Sequence, residues 1–357
     1  GRGQCDRGGK GPRAMKTKSI ALALQGGGSH GAFAWGVTEA LLHDERLGIE
    51  GFSGTSAGGM NAAATVQGLI KGGNTGAIES LEDYWRGIHE LALQISPLLA
   101  DPIGKARGDY NLHTSPGIIL SAFMNPILSQ FSPYDLNPFN HNPFKTFIGD
   151  FFNYGTIQDT DRWRLFLAAT HVETGKIKIF HNPEITVDAL MATSCLPTLF
   201  QAVEVNGEFY WDGGFIANPA IFPLINECTT KDIVVVQLTK SRCPHVPQQR
   251  EDINWRFTEI TFNSCLIREI RAIYLINRLI EEGKINDPNM RRINLHIIKD
   301  DHFFHDLSAL SAANTDWDFL NSLRHAGFKA GEKWIRANYE GLGTDLPTPS
   351  HILEDYI

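Results

Sequence analysis

Three short glycine-bearing segments hold the residues whose types and spacing could do chemistry. In Gly54-Thr55-Ser56-Ala57-Gly58 a serine is flanked by glycines in a G-x-S-x-G pattern. Small flanking residues allow a sharp turn from strand to helix, and such a turn lifts the serine hydroxyl clear of the chain at a helix N-terminus. A hydroxyl so placed can act as a nucleophile; the plain alternative is an ordinary serine in a glycine turn. Gly26-Gly27-Gly28-Ser29-His30-Gly31 satisfies G-x-G-x-x-G. Backbone N–H groups at a helix start carry partial positive charge, so this loop could hold a nucleotide phosphate or the oxyanion of an acyl-transfer intermediate. The nucleotide reading needs an acidic residue at the end of the second strand, to bind the ribose. That strand ends in Gly54-Thr55-Ser56, with Glu50 at its start, and no Gly-Lys-Ser/Thr follows the first loop. The oxyanion reading is therefore favoured, since with no Cβ on Gly26, Gly27 or Gly28 an oxyanion can approach closely; the plain alternative is a tight turn.

A serine nucleophile needs a base. The α/β-hydrolase order would supply a histidine late in the chain, where His302 and His305 lie between Asp300 and Asp306. The other candidate is Asp212 in Asp212-Gly213-Gly214. A desolvated carboxylate on a tight turn can take a serine proton directly. A β-turn aspartate with no catalytic duty has the same sequence pattern.

Regular elements must carry these turns. Ser19–Leu24 is an apolar strand running into the first loop, and residues 32–43 have helical spacing of Phe33, Val37, Ala40 and Leu41. Ile49–Ser53 is a second strand, and Met60–Ile70 a helix of small residues after the serine turn. Strand, glycine loop and helix thus occur twice in succession, which is the repeat of a parallel α/β sheet. A further helix is predicted over 77–94, then a proline-rich irregular insertion with short helices over about 95–154. Strands are predicted at Arg164–Ala169 and Lys176–Phe180 around a Glu173-Thr174-Gly175 turn. A hairpin with Asn206-Gly207 at its tip leads to Asp212, and Ile233–Leu238 reads as a central parallel strand. Helices over 252–282 and 316–340 flank a strand at Ile293–Ile298.

The three glycine segments in this order, with Ala192-Thr193-Ser194-Cys195-Leu196-Pro197 before the Asp-Gly-Gly strand, resemble the patatin-like phospholipase family over roughly residues 18–240. The resemblance implies an α/β fold, a three-layer α/β/α sandwich with a mostly parallel central sheet. It implies a serine lipid acyl hydrolase using a Ser–Asp dyad, with Ser56 as nucleophile, Asp212 as base and Gly26–Gly28 as oxyanion hole. Gly31, Gly54, Gly58, Gly213 and Gly214 support these motifs. No metal and no cofactor is implied. The family usually carries Arg or Lys where this chain has His30, so a fixed cation gives way to a group that titrates near neutrality. Two alternatives remain open at this point: an acyltransferase using the same dyad, and a non-catalytic lipid- or nucleotide-binding protein.

Composition bounds the partners. Hydrophobic residues form 42% of 357, with a net charge of −8, which is globular rather than disordered. Six basic residues against one acid in positions 1–18 make the remainder more acidic still, a poor nucleic-acid binder. Five cysteines without a C-x-x-C pair point to a reducing, cytoplasmic setting. The expected organisation is a disordered extension at 1–17 and one catalytic domain over 18–357 with a helical C-terminal part. The expected partner is a lipid or acyl ester, with transient contact at a membrane surface. Nine aromatics in residues 123–154 read either as a lid or acyl pocket facing lipid, or as the core of a cap. Oligomeric state is not readable.

Overall fold

The computed structural model describes residues 17–357 apart from 129, 241, 242, 244, 245, 249 and 348. The expected extension therefore lies almost wholly outside the described residues. Among the described residues eight strands form one sheet: β1 Lys18–Leu24, β2 Leu47–Gly54, β3 Arg164–His171, β4 Ile177–His181, β5 Val203–Val205, β6 Glu208–Asp212, β7 Asp232–Val236 and β8 Asn294–Ile298. The order is β5-β6-β3-β2-β1-β7-β8, with β4 beside β3. From β3 through β2, β1 and β7 to β8 the pairing is parallel, and the β4, β5 and β6 pairings are antiparallel.

Side-chain alternation on the central strands creates three layers. Ile20, Leu22 and Leu24 of β1 enter one core together with Phe33, Met60 and Leu320. These come from helix α1 (Gly31–His43), helix α2 (Ala57–Ile95) and the helix Trp317–Asn338. Ala21 and Ala23 face the opposite core with Leu266, Ile270 and Ile352, supplied by helices Arg250–Glu281 and Ser350–Tyr356. Both faces of β1 and β7 are dry, which is why their sequences read as continuous apolar runs. Each large side chain so buried stabilises the fold by roughly 1.5–3 kcal/mol.

Two expectations need adjusting. The predicted helices at 60–70 and 77–94 are one helical run, Ala57–Ile95, kinked where Gly72 and Gly73 leave helical geometry. The expected irregular insertion with short helices is more ordered than its prolines suggest, because four of them start helices. Pro102, Pro116, Pro133 and Pro143 are each the first residue of a helix, the position where a missing N–H costs no hydrogen bond. Asp101 and Asn142 cap two of these helices through side-chain oxygens.

The register of β3 fixes the geometry that matters. Gly54 of β2 pairs with Leu167, and Asp212 of β6 pairs with Ala169. β4 pairs with β3 from Phe166 to Thr170, overlapping both partners. β2 and β6 therefore share the other edge of β3. Since β2 is parallel and β6 antiparallel to it, their C-terminal ends run toward each other and stop on either side of Ala168.

Candidate active site

Ser56 follows the end of β2 and caps α2, with φ 53° and ψ −127°. A non-glycine residue held there costs on the order of 1–3 kcal/mol, so the surroundings must impose it. The Ser56 N–H donates to the carbonyl of Thr193 at 3.1 Å and to its Oγ1 at 3.1 Å. The Thr193 hydroxyl in turn donates to the Ala168 carbonyl at 2.6 Å. Thr55 donates its hydroxyl to Ala217 O at 2.7 Å, tying the turn to the chain just past Gly213-Gly214. The serine conformation is thus locked from both strands that meet at Ala168.

Asp212 ends β6 and is 1% exposed. Its N–H donates to Cys195 O at 2.8 Å, and its Oδ1 accepts the Gly214 N–H at 2.7 Å. The Ser56 side chain stands near enough to this carboxyl to favour its ionised form. Burial pushes the Asp212 carboxyl up to about 7, against the smaller opposing effects of the Gly214 N–H and the Ser56 side chain. A carboxylate poised there can take and return a proton near neutral pH.

The first glycine loop lies directly on the serine turn. A Cβ at Gly26 would stand 2.6 Å from Thr55 O and 2.8 Å from the Ser56 Cβ, so any side chain there would force the backbones apart. Gly28 has φ +58° and faces Ala312 O, 2.4 Å from where its Cβ would be. The expected trio of donors divides in two. The Gly26 N–H is taken by Asn218 Oδ1 at 2.7 Å, whereas among the described residues no protein acceptor meets the N–H of Gly27 or Gly28. Gln25, fully buried, anchors the loop by accepting the N–H groups of Leu238 and Thr239 at 2.7 and 2.9 Å.

His30 is not the neutral-range titrating group its sequence position suggested. It is 6% exposed, edge-on to Phe304 and Phe319. Burial, aided by the positive charge of Lys240, pushes it down to about 3. Its Nε2 lies 2.7 Å from Ser311 Oγ, and that hydroxyl donates to Ser308 O at 2.7 Å. The serine's one proton is so used, which makes His30 Nε2 the donor, while burial keeps the ring neutral. His302 and His305, the alternative bases, do not line the site; His305 is exposed and paired with Asp306 at 2.8 Å.

Ser56, Asp212, Gly26–Gly28 and His30 open onto one cavity of about 400 Å³. Its walls are mostly apolar: Leu199 and Leu238 on the sheet side, Trp255 and Phe262 from helix Arg250–Glu281, and Phe304 and Ala312 from the 301–313 segment. Among the described residues none of 123–154 lines it. The described aromatics of the insertion therefore do not wall this cavity. Phe147, Phe151 and Phe152 pack around Tyr84 as core, while Phe131, Tyr134 and Phe139 are exposed.

Sequence reasoning missed Asn218, Gln25, Lys240 and the aromatic wall. Asn218 carried a usable signal, a lone amide in the otherwise apolar run Phe215–Ile221, since a buried amide must find partners. Glu50, rejected as a ribose ligand, instead accepts the N–H groups of Thr229 and Thr230 and the Ser19 hydroxyl. Among the described residues no helix is long and apolar enough to cross a membrane.

Solved structures with a remote likeness include VipD from Legionella pneumophila, at 12% identity, 86% of this chain and 67% of that chain, with a TM-score of 0.34. Another is ExoU in its heterodimeric complex with SpcU from the type III secretion system of Pseudomonas aeruginosa, at 16% identity, 94% of this chain and 73% of that chain, TM-score 0.28. No curated protein gives a significant match. The family model described as patatin-like phospholipase matches residues 22–225, more than half of the sequence, from β1 through Asp212 and beyond. The chain belongs to the patatin-like phospholipase family, and at the level of that family it is a lipid hydrolase.

Proposed function

We propose that the protein hydrolyses carboxylic esters of lipids through a Ser56–Asp212 dyad and an acyl-enzyme. The observation that carries this reading is the meeting of Ser56 and the buried Asp212 carboxyl, held near 7, in one apolar cavity at the joined ends of β2 and β6. Asp212 removes the Oγ proton as Oγ attacks the ester carbonyl. The tetrahedral oxyanion is stabilised by the N–H groups of Gly27 and Gly28, each such donor being worth roughly 3–4 kcal/mol in the transition state. Collapse breaks the ester C–O bond, and Asp212 returns its proton to the departing alcohol or lysolipid. Water, deprotonated by Asp212, then attacks the acyl-enzyme, and Ser56 recovers its proton. The apolar walls suit an acyl chain, because burying hydrocarbon there is favourable by about 0.8 kcal/mol per methylene.

A fluorophosphonate probe followed by peptide mass mapping tests the reading. Adduct on the peptide containing Ser56, absent after Asp212→Asn, is the expected result. A non-catalytic lipid-binding protein would give no adduct while still binding lipid, and an acyltransferase would give the adduct but pass the acyl group to an added lysolipid.

The exposed apolar side chains support a lipid surface as the place of action. Leu199 is 63% and Phe139 93% exposed. The two lie on neighbouring segments, since the Tyr134 hydroxyl accepts the Ala202 N–H at 3.2 Å and Gln201 Nε2 donates to Asn137 O at 2.7 Å. Asp135 is the one charged residue between 114 and 142. Such a surface suits a zwitterionic membrane, because anionic lipid is drawn by Lys and Arg.

A further inference from the structure

Among the described residues the cavity has one cation, and it does not come from the position where the family usually carries one. Of the charged side chains lining it, Asp212 is the buried carboxyl beside Ser56, and Glu259 is already engaged by Trp255 Nε1 at 3.0 Å and by Arg256 at 3.1 Å. The third is Lys240. Its Nζ donates to the carbonyls of His305 and Leu307, both at 3.0 Å. An ammonium carries three donors, so these bonds fix its position, leave one N–H over, and do not neutralise its charge. Among the described residues no carboxylate lies within ion-pair distance of it. Asp306, whose ionised form the Lys240 charge helps to favour, is exposed and paired with His305.

Lys240 is also held close to the oxyanion loop. The neighbouring Thr239 donates its N–H and hydroxyl to Gln25 Oε1, at 2.9 Å each, and Gln25 directly precedes Gly26. The Lys240 carbonyl accepts from Asn263 Nδ2 at 3.3 Å. The Lys240 charge is felt at His30, which it helps to hold neutral. A positive group fixed by the protein, beside the oxyanion loop, in a cavity otherwise apolar, is a site for an anion that enters with an apolar ester.

We propose that Lys240 forms a phosphate subsite of the Ser56 cavity and makes the enzyme selective for glycerophospholipids over neutral acylglycerols. The proposal rests on the lipid-hydrolase reading above, and names its substrate class. Lys240 is a specificity residue here; it takes no part in the proton transfers at Ser56. The bland role, in which Lys240 only ties down the end of the Asp301–His305 helix, predicts equal effects on charged and neutral ligands.

The test is binding, so that it survives any failure of the catalytic reading. Ser56→Ala and Ser56→Ala/Lys240→Met are titrated calorimetrically with a short-chain diether phosphocholine, and with the matching diether glycerol lacking the phosphate. Charge-assisted hydrogen bonds contribute enough that removal of Lys240 should weaken the phosphocholine by about tenfold or more, leaving the neutral ether within about threefold. Lys240→Arg in the same background should retain most of the affinity. Equal weakening for both ligands, or no weakening, overturns the proposal. Inorganic phosphate is titrated alone as a third ligand. Lys240-dependent binding as tight as that of the phosphocholine would assign the subsite to a free anion and overturn the headgroup assignment. In a parallel assay of the otherwise wild-type enzyme, Lys240→Met should lower kcat/KM on monomeric dihexanoylphosphatidylcholine at least about tenfold more than on p-nitrophenyl butyrate; an equal change on both would overturn the proposal. If wild type turns over neither substrate, the hydrolase reading fails while the binding result still decides the subsite.

Discussion

Gly54 and Asp212 end two strands that meet head to head along one edge of β3, one pairing with Leu167 and the other with Ala169. The residue between, Ala168, gives its carbonyl to the Thr193 hydroxyl, and Thr193 holds the Ser56 N–H. One strand thus sets the separation of the two groups that the proposed reaction requires. Thr193→Val removes the hydroxyl but keeps the shape. The expected result is a drop in kcat of about tenfold and a loss of roughly 1–3 kcal/mol of stability, from the unpaired Ala168 carbonyl. Thr193→Ser should recover both, as read by ester turnover and urea unfolding.

Gly26 approaches the serine turn more closely than any side chain permits. Gly26→Ala should leave far-ultraviolet circular dichroism unchanged and lower kcat/KM on p-nitrophenyl butyrate by about a hundredfold, since a displaced oxyanion loop loses its donors. Activity within twofold of wild type would show that the loop is not part of the site.

The Asp212 carboxyl, pushed up by burial to about 7, sets two pH dependences. As a base it must be ionised, so kcat/KM should fall about tenfold per unit below pH 7 and be flat above it. For stability the sign is opposite. A carboxyl whose folded pKa exceeds its unfolded value binds more protons when folded, so its contribution is full below about pH 4 and is lost as pH rises to about 7. Asp212→Asn removes that loss. The variant should gain on wild type between pH 4 and 7, by at most roughly 4 kcal/mol in denaturant titrations. Glu269, likewise raised by burial to about 7, is present in both proteins and cancels.

His30 sits in an apolar pocket with one hydroxyl partner. Restoring the family's cation with His30→Arg should therefore destabilise the fold by several kcal/mol rather than raise activity, because the charge would be buried beside Lys240. A melting temperature at or above that of wild type would contradict the neutral, buried assignment.

Phe139 and Leu199 test the lipid surface. Phe139→Asp and Leu199→Asp should lower binding to phosphatidylcholine vesicles by about tenfold each, as read by co-sedimentation of the Ser56→Ala background. Turnover of soluble p-nitrophenyl butyrate by Phe139→Asp should stay within twofold. Unchanged sedimentation would remove this face from the account.

The parts of the fold that were legible in sequence are local. Ser19–Leu24 with its glycine loop, and the turn around Ser56, announce themselves because each strand, turn and helix is contiguous and obeys one backbone rule. Asp212-Gly213-Gly214 could be named but not assigned, since its pairing with Ser56 depends on the register of β3. What was not legible depends on distant packing. The neutrality of His30 arises from Phe304, Phe319 and Ser311. The donor at Gly26 is consumed by Asn218. The cavity wall comes from Trp255 and Phe262, on a helix whose sequence looks like any amphipathic surface helix. The aromatic insertion drew attention by composition alone, and its rings proved to be core and outer surface.

The most direct measurement is the steady-state hydrolysis of p-nitrophenyl butyrate by wild type, Ser56→Ala and Asp212→Asn, each shown to be folded by circular dichroism and thermal melting. The dyad predicts measurable turnover for wild type, and a loss of about a thousandfold or more in kcat for either variant, with no further loss when the two are combined. Retained turnover in folded Ser56→Ala or Asp212→Asn would contradict it.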